Sequence, residues 1–328
     1  MATYSDRLTA PLPGLRDVWR MMRERRPVRD LAAGAGSIPL ARLGPLPPVP
    51  PEATAVTWVG HATYVLRFGA MTVLTDPVWS RRIPGIAPRL TRAGVAWEDL
   101  PPVDAVVISH NHYDHLDAPT IRRLPRRTPV LVPAGLGRWF RRRGFTEVTE
   151  LDWWQSHELG PIAAGGRRAA DRVRFDFVPA HHWSRRGLTD TCETLWGGWV
   201  LTHTGASGGT IRVYFAGDTG YGHWFARIGA RYPGIDLALM PVGAYAPRWF
   251  MRPMHVDPEE AVRACQEVGA RRMAAMHWGT FVLSAEPVDE PVARAVKAWA
   301  EAGLPREDLW DLAVGETREL SARTRSHA

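Results

Sequence analysis

Cysteine is nearly absent from this 328-residue chain. Cys192 and Cys265 are too few for a disulfide-stapled secreted scaffold or a four-cysteine zinc site. A reducing compartment is therefore the simpler home, and a metal would have to be held by histidine and carboxylate. Lysine is scarcer still, since Lys297 stands alone among 41 basic residues. Arginine's planar fork suits phosphate and carboxylate, although a genome rich in arginine codons accounts for the excess equally well. Long apolar runs are missing too: the longest uncharged stretch, Thr194 to Ile211, is interrupted by glycines, His203 and hydroxyl residues, so no transmembrane helix is expected. Arginines spread through Met1 to Leu31, with no apolar core among them, argue against a secretory signal. A cytoplasmic protein is the expectation.

What is present suffices for a large core. With 45% hydrophobic and 23% charged residues, disordered, collagen-like and coiled-coil readings drop out. The first 53 residues differ from the rest. Leu15, Val18, Trp19 and Met22 fall at helical spacing among six arginines between Arg16 and Arg29, and Pro45 to Pro51 is almost entirely proline. This reads as a basic amphipathic helix and an extended linker, followed by a main domain over 54–328.

In that domain TAVTWVG, TYVLRFG and MTVLTDP suggest a hairpin-rich start, followed by strands at DAVVISH, TPVLVP and EVTEL with helices at 117–124 and 134–143. After an Arg/Gly-rich loop near 160–172 come strands VRFDFVPAH, LWGGWVLTH, TIRVYFAGD and DLALMPV. Helices at 257–268 and 291–302 bracket a last strand, RMAAMHW. The pattern implies an α/β (α+β) chain with two stacked sheets and helices on both outer faces.

The densest chemistry is His110-Asn111-His112-Tyr113-Asp114-His115-Leu116-Asp117, directly after the apolar strand DAVVIS. Imidazole and carboxylate are ligands that zinc, iron or manganese accepts without thiolate. His182, Asp218 and His277 each follow a strand and so reach one rim of a sheet. Together these residues can furnish two adjacent sites: three histidines for one metal, Asp114 with two histidines for the other, and a carboxylate between. Such a pair holds a bridging hydroxide, because coordination lowers the pKa of water to about 7.

These residues, with GHATYVL (60–66), LTDPVWS (74–80), LDWWQ (151–155), HWSRR (182–186), FAGDTGY (215–221), GAYAPRWFM (243–251), HVDPEEAV (255–262) and MHWGTF (276–281), resemble the metallo-β-lactamase superfamily. Within it they resemble the branch of phospholipases D that hydrolyse N-acyl-phosphatidylethanolamine. The resemblance covers roughly Thr57 to Leu320 in order.

It implies the metallo-β-lactamase-type αββα sandwich, with one zinc on His110, His112 and His182, a second on Asp114, His115 and His277, and Asp218 across both. Manganese or iron(II) are the alternative metals. Asp114 and His255 are the candidate catalytic residues, and His255 matches a histidine beside the substrate phosphate. Tyr113 sits within the cluster as in the family, and Asp76 matches an aspartate that steadies a ligand imidazole. Two departures stand out. His181-His182 replaces the family's usual Gln-His, with His182 aligned as ligand and His181 beside it. Met254 occupies a position near the phosphate where glutamine is expected.

The implied function is a dinuclear zinc phosphodiesterase of phospholipase D type, acting on N-acyl-phosphatidylethanolamine-like lipids through the bridging hydroxide. A metal-dependent lactonase or other carbonyl hydrolase is the alternative, because the same hydroxide attacks carbonyl carbon. A nuclease gains from the net charge of +7 but lacks any recognisable nucleic-acid module, so no nucleic acid is expected as partner. A metal-stabilised binding protein would be expected to have lost a ligand, and none is lost. The N-terminal helix is expected to pack on the sandwich, as apolar stripes at this spacing mostly do. Peripheral docking on the inner face of a membrane is the alternative.

Overall fold

The computed structural model describes residues 3–24, 27–50, 53–160, 172–205 and 208–321. The loop read near 160–172 falls almost wholly outside these residues.

In chain order the strands are β1 Ala53–Gly60, β2 Thr63–Phe68, β3 Met71–Thr75, β4 Ala105–Val107, β5 Val130–Pro133, β6 Val148–Leu151 and β7 Ser156–Leu159. They continue with β8 Arg172–Val178, β9 Gly198–Thr204, β10 Thr210–Phe215, β11 Leu237–Pro241, β12 Arg272–Met276, β13 Leu309–Trp310 and β14 Thr317–Ser321. Two seven-stranded sheets result, ordered β14-β1-β2-β3-β4-β5-β6 and β13-β12-β11-β10-β9-β8-β7. Each sheet is antiparallel at one end and parallel at the other: β3 to β6 run parallel in the first, β10 to β13 in the second.

The period of two along each strand explains the layering. In β2 the rings of Tyr64 and Phe68 enter the inter-sheet core with Phe175, Phe177, Trp199 and Tyr214 of the second sheet. Val65, between them, points the other way with Leu74, Val106 and Ile108 into a separate cluster under Ile121 and Phe140. Those two residues belong to α3 Ala118–Arg123 and α4 Gly137–Arg141, the helices over the first sheet. On the outer side of the second sheet, Ala261 and Cys265 of α7 Pro258–Glu267 and Trp299 of α8 Glu290–Glu301 are buried in the same core. The arrangement is the αββα sandwich expected from sequence.

Among the elements not legible were the short helices α2 Val28–Leu31 and α6 Arg248–Met251, with α5 Trp224–Arg231 and the strands β7, β13 and β14. The last closes the first sheet by pairing Leu320 with Thr54, a contact across nearly the whole chain. α4 is also shorter than the expected 134–143, beginning only at Gly137 after a turn in which Glu150 accepts hydrogen bonds from the amides of Gly135 and Gly137.

The N-terminal helix α1, Leu15–Glu24, does not cover a sheet. It rests on the short helix α6 Arg248–Met251, where Arg20 lies 4.1 Å over the Trp249 ring and Trp249 Nε1 donates to Glu24. Leu15, Trp19 and Met22 remain 91%, 61% and 66% exposed, so the expected burial of the stripe is corrected for three of its four residues. A helix periodicity marks an apolar face but not its cover. Among the described residues, no helix is long and apolar enough to cross a membrane.

Candidate metal centre

Ligands in α/β sheets gather outside the carboxyl ends of strands, and this chain places its chemistry there. Asp76 follows β3, Ser109 to His115 follow β4, His181 and His182 follow β8, Asp218 follows β10, and His277 follows β12. His255 comes from the loop before α7, whose N-terminus is secured by the Asp257–Glu260 capping box. Arg248 fixes that loop by donating 2.7 Å to the His255 carbonyl while pairing with Asp257 and Glu260.

The ring nitrogens converge in two groups. His110 Nε2 lies 2.9 Å from His112 Nδ1, which lies 3.3 Å from His182 Nε2. In the second group His115 Nε2 is 3.3 Å from His277 Nε2, and Asp114 Oδ2 is 3.6 and 3.7 Å from those two atoms. Asp218 stands between the groups: its carboxylate is 3.2 Å from His115, 3.1 Å from His277 and 3.9 Å from both His110 and His182.

The outward nitrogens explain why these faces point inward. His182 Nδ1 is 3.0 Å from the Met254 carbonyl, which can only accept, so the proton sits there and the Nε2 lone pair faces the cluster. His115 Nδ1 meets Asp76 Oδ2 at 2.7 Å. His110 Nδ1 is 2.9 Å from Ser109 Oγ, which donates on to the same Asp76 oxygen, while the Ser109 amide donates 2.7 Å to Oδ1. Asp76 thus orients one imidazole of each group.

Lone pairs turned toward one another repel unless a proton or a cation lies between them. The charge pattern agrees with a cation site. Burial opposes charge on His115 and His277, yet Asp218 and Asp114 outweigh it, raising His115 well above its ordinary pKa and His277 to about 9. Burial would raise the carboxyls of Asp114 and Asp218, but the imidazoles, led by His115, hold both well below the usual range. Burial with the neighbouring His182 lowers His112 to about 3. The carboxylates thus hold positive charge at His115 and His277 while His110, His112 and His182 are held neutral, a site in which a borderline dication would take the place of the protons, and the donor set fits a metal.

All seven residues expected as ligands meet in this cluster. His255 joins its edge, with Nδ1 4.0 Å from Asp218 Oδ2 and buried without a hydrogen-bond partner among the described residues. Tyr113 stands partly exposed at the rim, under the guanidinium of Arg186 at 4.2 Å. His181 turns away, its Nδ1 2.7 Å from Thr9 Oγ1. Met254 contributes its carbonyl to His182, and the residue lines, with His112 and His255, a cavity of about 300 Å³. The rest of that wall is mainly apolar, including Leu12, Val18, Trp183, Phe250 and Met251, with Arg185 as its cation.

Sequence reasoning missed His61 and Ser109. His61 Nε2 is 3.1 Å from Asp114 Oδ2, and its ring centre is 4.1 Å from that of His277. It follows β1 as His182 follows β8, so the strand-end signal that singled out the others was present in GHATYVL.

Such a cluster at the shared strand ends of an αββα sandwich defines a metallo-hydrolase of the β-lactamase fold. The Beta-lactamase superfamily domain matches residues 71–278, and the chain belongs to that superfamily, among its metal-dependent hydrolases. It is 42% identical over 255 residues to an uncharacterized protein of Mycobacterium tuberculosis, covering 74% of this chain and 63% of that one. It is 36% identical over 290 residues to N-acyl-phosphatidylethanolamine-hydrolyzing phospholipase D 1 of Caenorhabditis elegans, covering 81% of this chain and 76% of that enzyme. A metallo hydrolase from Ignicoccus hospitalis shares the fold at 22% identity with a TM-score of 0.60, over 83% of this chain and 100% of that one.

Proposed function

We propose that the chain is a dinuclear zinc phosphodiesterase of phospholipase D type, cleaving N-acyl-phosphatidylethanolamine-like lipids to a phosphatidate and an N-acylethanolamine. The observation that carries this reading is the cavity: His112 and His255 of the cluster line it, and the rest of its wall is mainly apolar with one arginine, the distribution that an amphiphile with a phosphodiester requires. The nematode relative's name supports the same substrate class.

His110, His112 and His182 would hold one zinc and Asp114, His115 and His277 a second, with Asp218 between the two groups, and the pair would supply an activated water and offset charge on the phosphoryl group. Asp114 stays ionised as a ligand. His255 is held well below its ordinary pKa, chiefly by burial, and is neutral near pH 7. It therefore serves as a hydrogen-bond donor that orients a phosphate oxygen, and a neutral imidazole is a poor proton source for the leaving alkoxide. Arg185, the cation in the cavity wall, pairs with a second anionic oxygen.

The test is hydrolysis of bis(p-nitrophenyl) phosphate and of N-acyl-phosphatidylethanolamine in detergent micelles, lost with a chelator and restored by zinc, with about two metals per chain by elemental analysis. Lactone hydrolysis with both phosphodiesters untouched would overturn the reading.

The lipid reaches this cavity from a bilayer surface, on which the enzyme docks from the cytoplasmic side. Val18 of α1 lines the cavity, while Leu15, Trp19 and Met22 on the same helix face outward beside Arg16, Arg20 and Arg23. Leu188, 89% exposed, extends from the loop that carries Arg185 and Arg186. Apolar side chains among arginines suit an anionic phospholipid surface. Sedimentation with phosphatidylcholine vesicles containing phosphatidylglycerol should show binding that weakens as salt rises. The double variant Leu15→Glu/Trp19→Glu should lose that binding and keep bis(p-nitrophenyl) phosphate hydrolysis. Equal binding by the variant would exclude α1 as the docking face.

A further inference from the structure

One imidazole of the cluster belongs to neither ligand group. His61 sits in the turn between β1 and β2, 1% exposed, with φ of +55°. Few residues other than glycine adopt that left-handed conformation, and histidine, asparagine and aspartate are the commoner exceptions. Three hydrogen bonds clamp its backbone. The amide donates 2.7 Å to Thr280 Oγ1, and the carbonyl accepts from Trp58 Nε1 at 2.9 Å and from the His277 amide at 3.1 Å. His277 is left-handed too, with φ of +64°. The turn of the first sheet and the ligand of the second are thus pinned to each other by backbone.

From this anchored position the His61 ring extends between His277 and Phe281, whose centres lie 4.1 and 5.4 Å away, and ends 3.1 Å from Asp114 Oδ2. Asp114 comes from a different loop, after β4. Among the described residues no backbone amide or hydroxyl donates to its carboxylate; beyond the ligand imidazoles, His61 is its hydrogen-bond partner. A carboxylate with one fixed partner has its rotation about the Cβ–Cγ bond restricted, so the choice of oxygen facing a metal is made before the metal arrives.

We propose that His61 is a positioning residue for Asp114, donating Nε2–H to Oδ2 and setting the carboxylate's orientation in the group formed with His115 and His277. The proposal rests on the two-group ligand assignment and not on the substrate. Outer hydrogen bonds of this kind change metal affinity by roughly 10–100-fold. His61 acts on one group alone, because in the other group His110 and His182 take their orientation from Ser109 and Met254 and not from this turn.

The experiment is a zinc titration of the full chain against a chromophoric chelator, with no substrate present, on the wild type, His61→Gly and His61→Gln. Glycine keeps the left-handed turn at no steric cost and removes the imidazole. Glutamine places an amide N–H near the position of Nε2. His61→Gly should weaken one of the two zinc affinities by roughly 10–100-fold and leave the other unchanged, while the space left by the buried ring lowers the metal-free melting temperature only by about a few degrees. His61→Gln should recover most of the lost affinity and keep the cobalt(II) absorption band of the wild type. Unchanged affinities in His61→Gly would overturn the proposal. Loss of both affinities with a larger fall in the metal-free melting temperature would overturn it in favour of a turn residue. A failure of glutamine to rescue, with a weakened cobalt band, would overturn it in favour of direct ligation. If phospholipase activity proves absent while these affinities behave as described, the substrate reading fails and the role of His61 stands.

Discussion

The carboxylate of Asp76 accepts from His115 Nδ1 at 2.7 Å and, through Ser109, also governs His110, so a single buried side chain holds one imidazole of each ligand group. Asp76→Asn keeps one oxygen and turns the other into an NH2 group, so either the Ser109 amide or the pair His115 Nδ1 and Ser109 Oγ loses its acceptor. Both zinc affinities should fall by roughly 10–100-fold. Ser109→Ala should weaken only the group containing His110. Chelator competition measures this, and equal effects of the two substitutions on both sites would contradict the relay.

The neighbouring histidines His181 and His182 should separate cleanly. His182→Ala removes a nitrogen 3.3 Å from His112 Nδ1 and should cost close to one metal per chain after dialysis. His181→Ala should keep full occupancy, because that ring is bonded to Thr9. Thr9 leads into Leu12 and Pro13 of the cavity wall, so KM for a long-chain lipid should rise while kcat changes little. Exchanged phenotypes would reverse the assignment.

Gly243 follows β11, and a methyl group there would run into the carbonyl of His277. Backbone cannot give way as a flexible side chain does. Gly243→Ala should therefore destabilise by about 1–3 kcal/mol and lower metal occupancy through displacement of His277. Thermal melting with elemental analysis checks both, and a stable variant with two metals would show that the 243 loop yields freely.

Both thiols should be silent in the native protein. Cys192 and Cys265 are buried, and burial pushes the Cys265 thiol up to about 12. The thiolate is the reactive form, so at pH 8 only about one Cys265 in ten thousand is ionised. A disulfide reagent should label neither residue at pH 8 without denaturant and both in guanidinium. Fast native labelling would mean that the core opens readily.

The sequence by itself determined the parts of the centre that lie within short stretches. HNHYDHLD carries His110, His112, Asp114 and His115 in one loop, so their proximity follows from chain connectivity whatever the fold does. The apolar strands ending in His182, Asp218 and His277 were legible because a period of two and a following polar residue are local signals. The two-layer sandwich was legible in the order of elements, short strands first and helix–strand pairs after them in each half, because each sheet face and helix stripe must be buried against another layer.

What the tertiary structure decided is every relation between residues far apart in the chain. The pairing of β14 with β1, the bond of His61 to Asp114 and that of Thr9 to His181 join segments 53 or more residues apart. No residue pattern encodes such partners, because they depend on how two sheets stack. The same holds for α1, whose periodicity gave an apolar stripe at Leu15, Val18, Trp19 and Met22 without saying what would cover it. Packing against α6 turned Val18 to the cavity and left the other three in solvent, since only one side of a narrow helix can meet a four-residue neighbour.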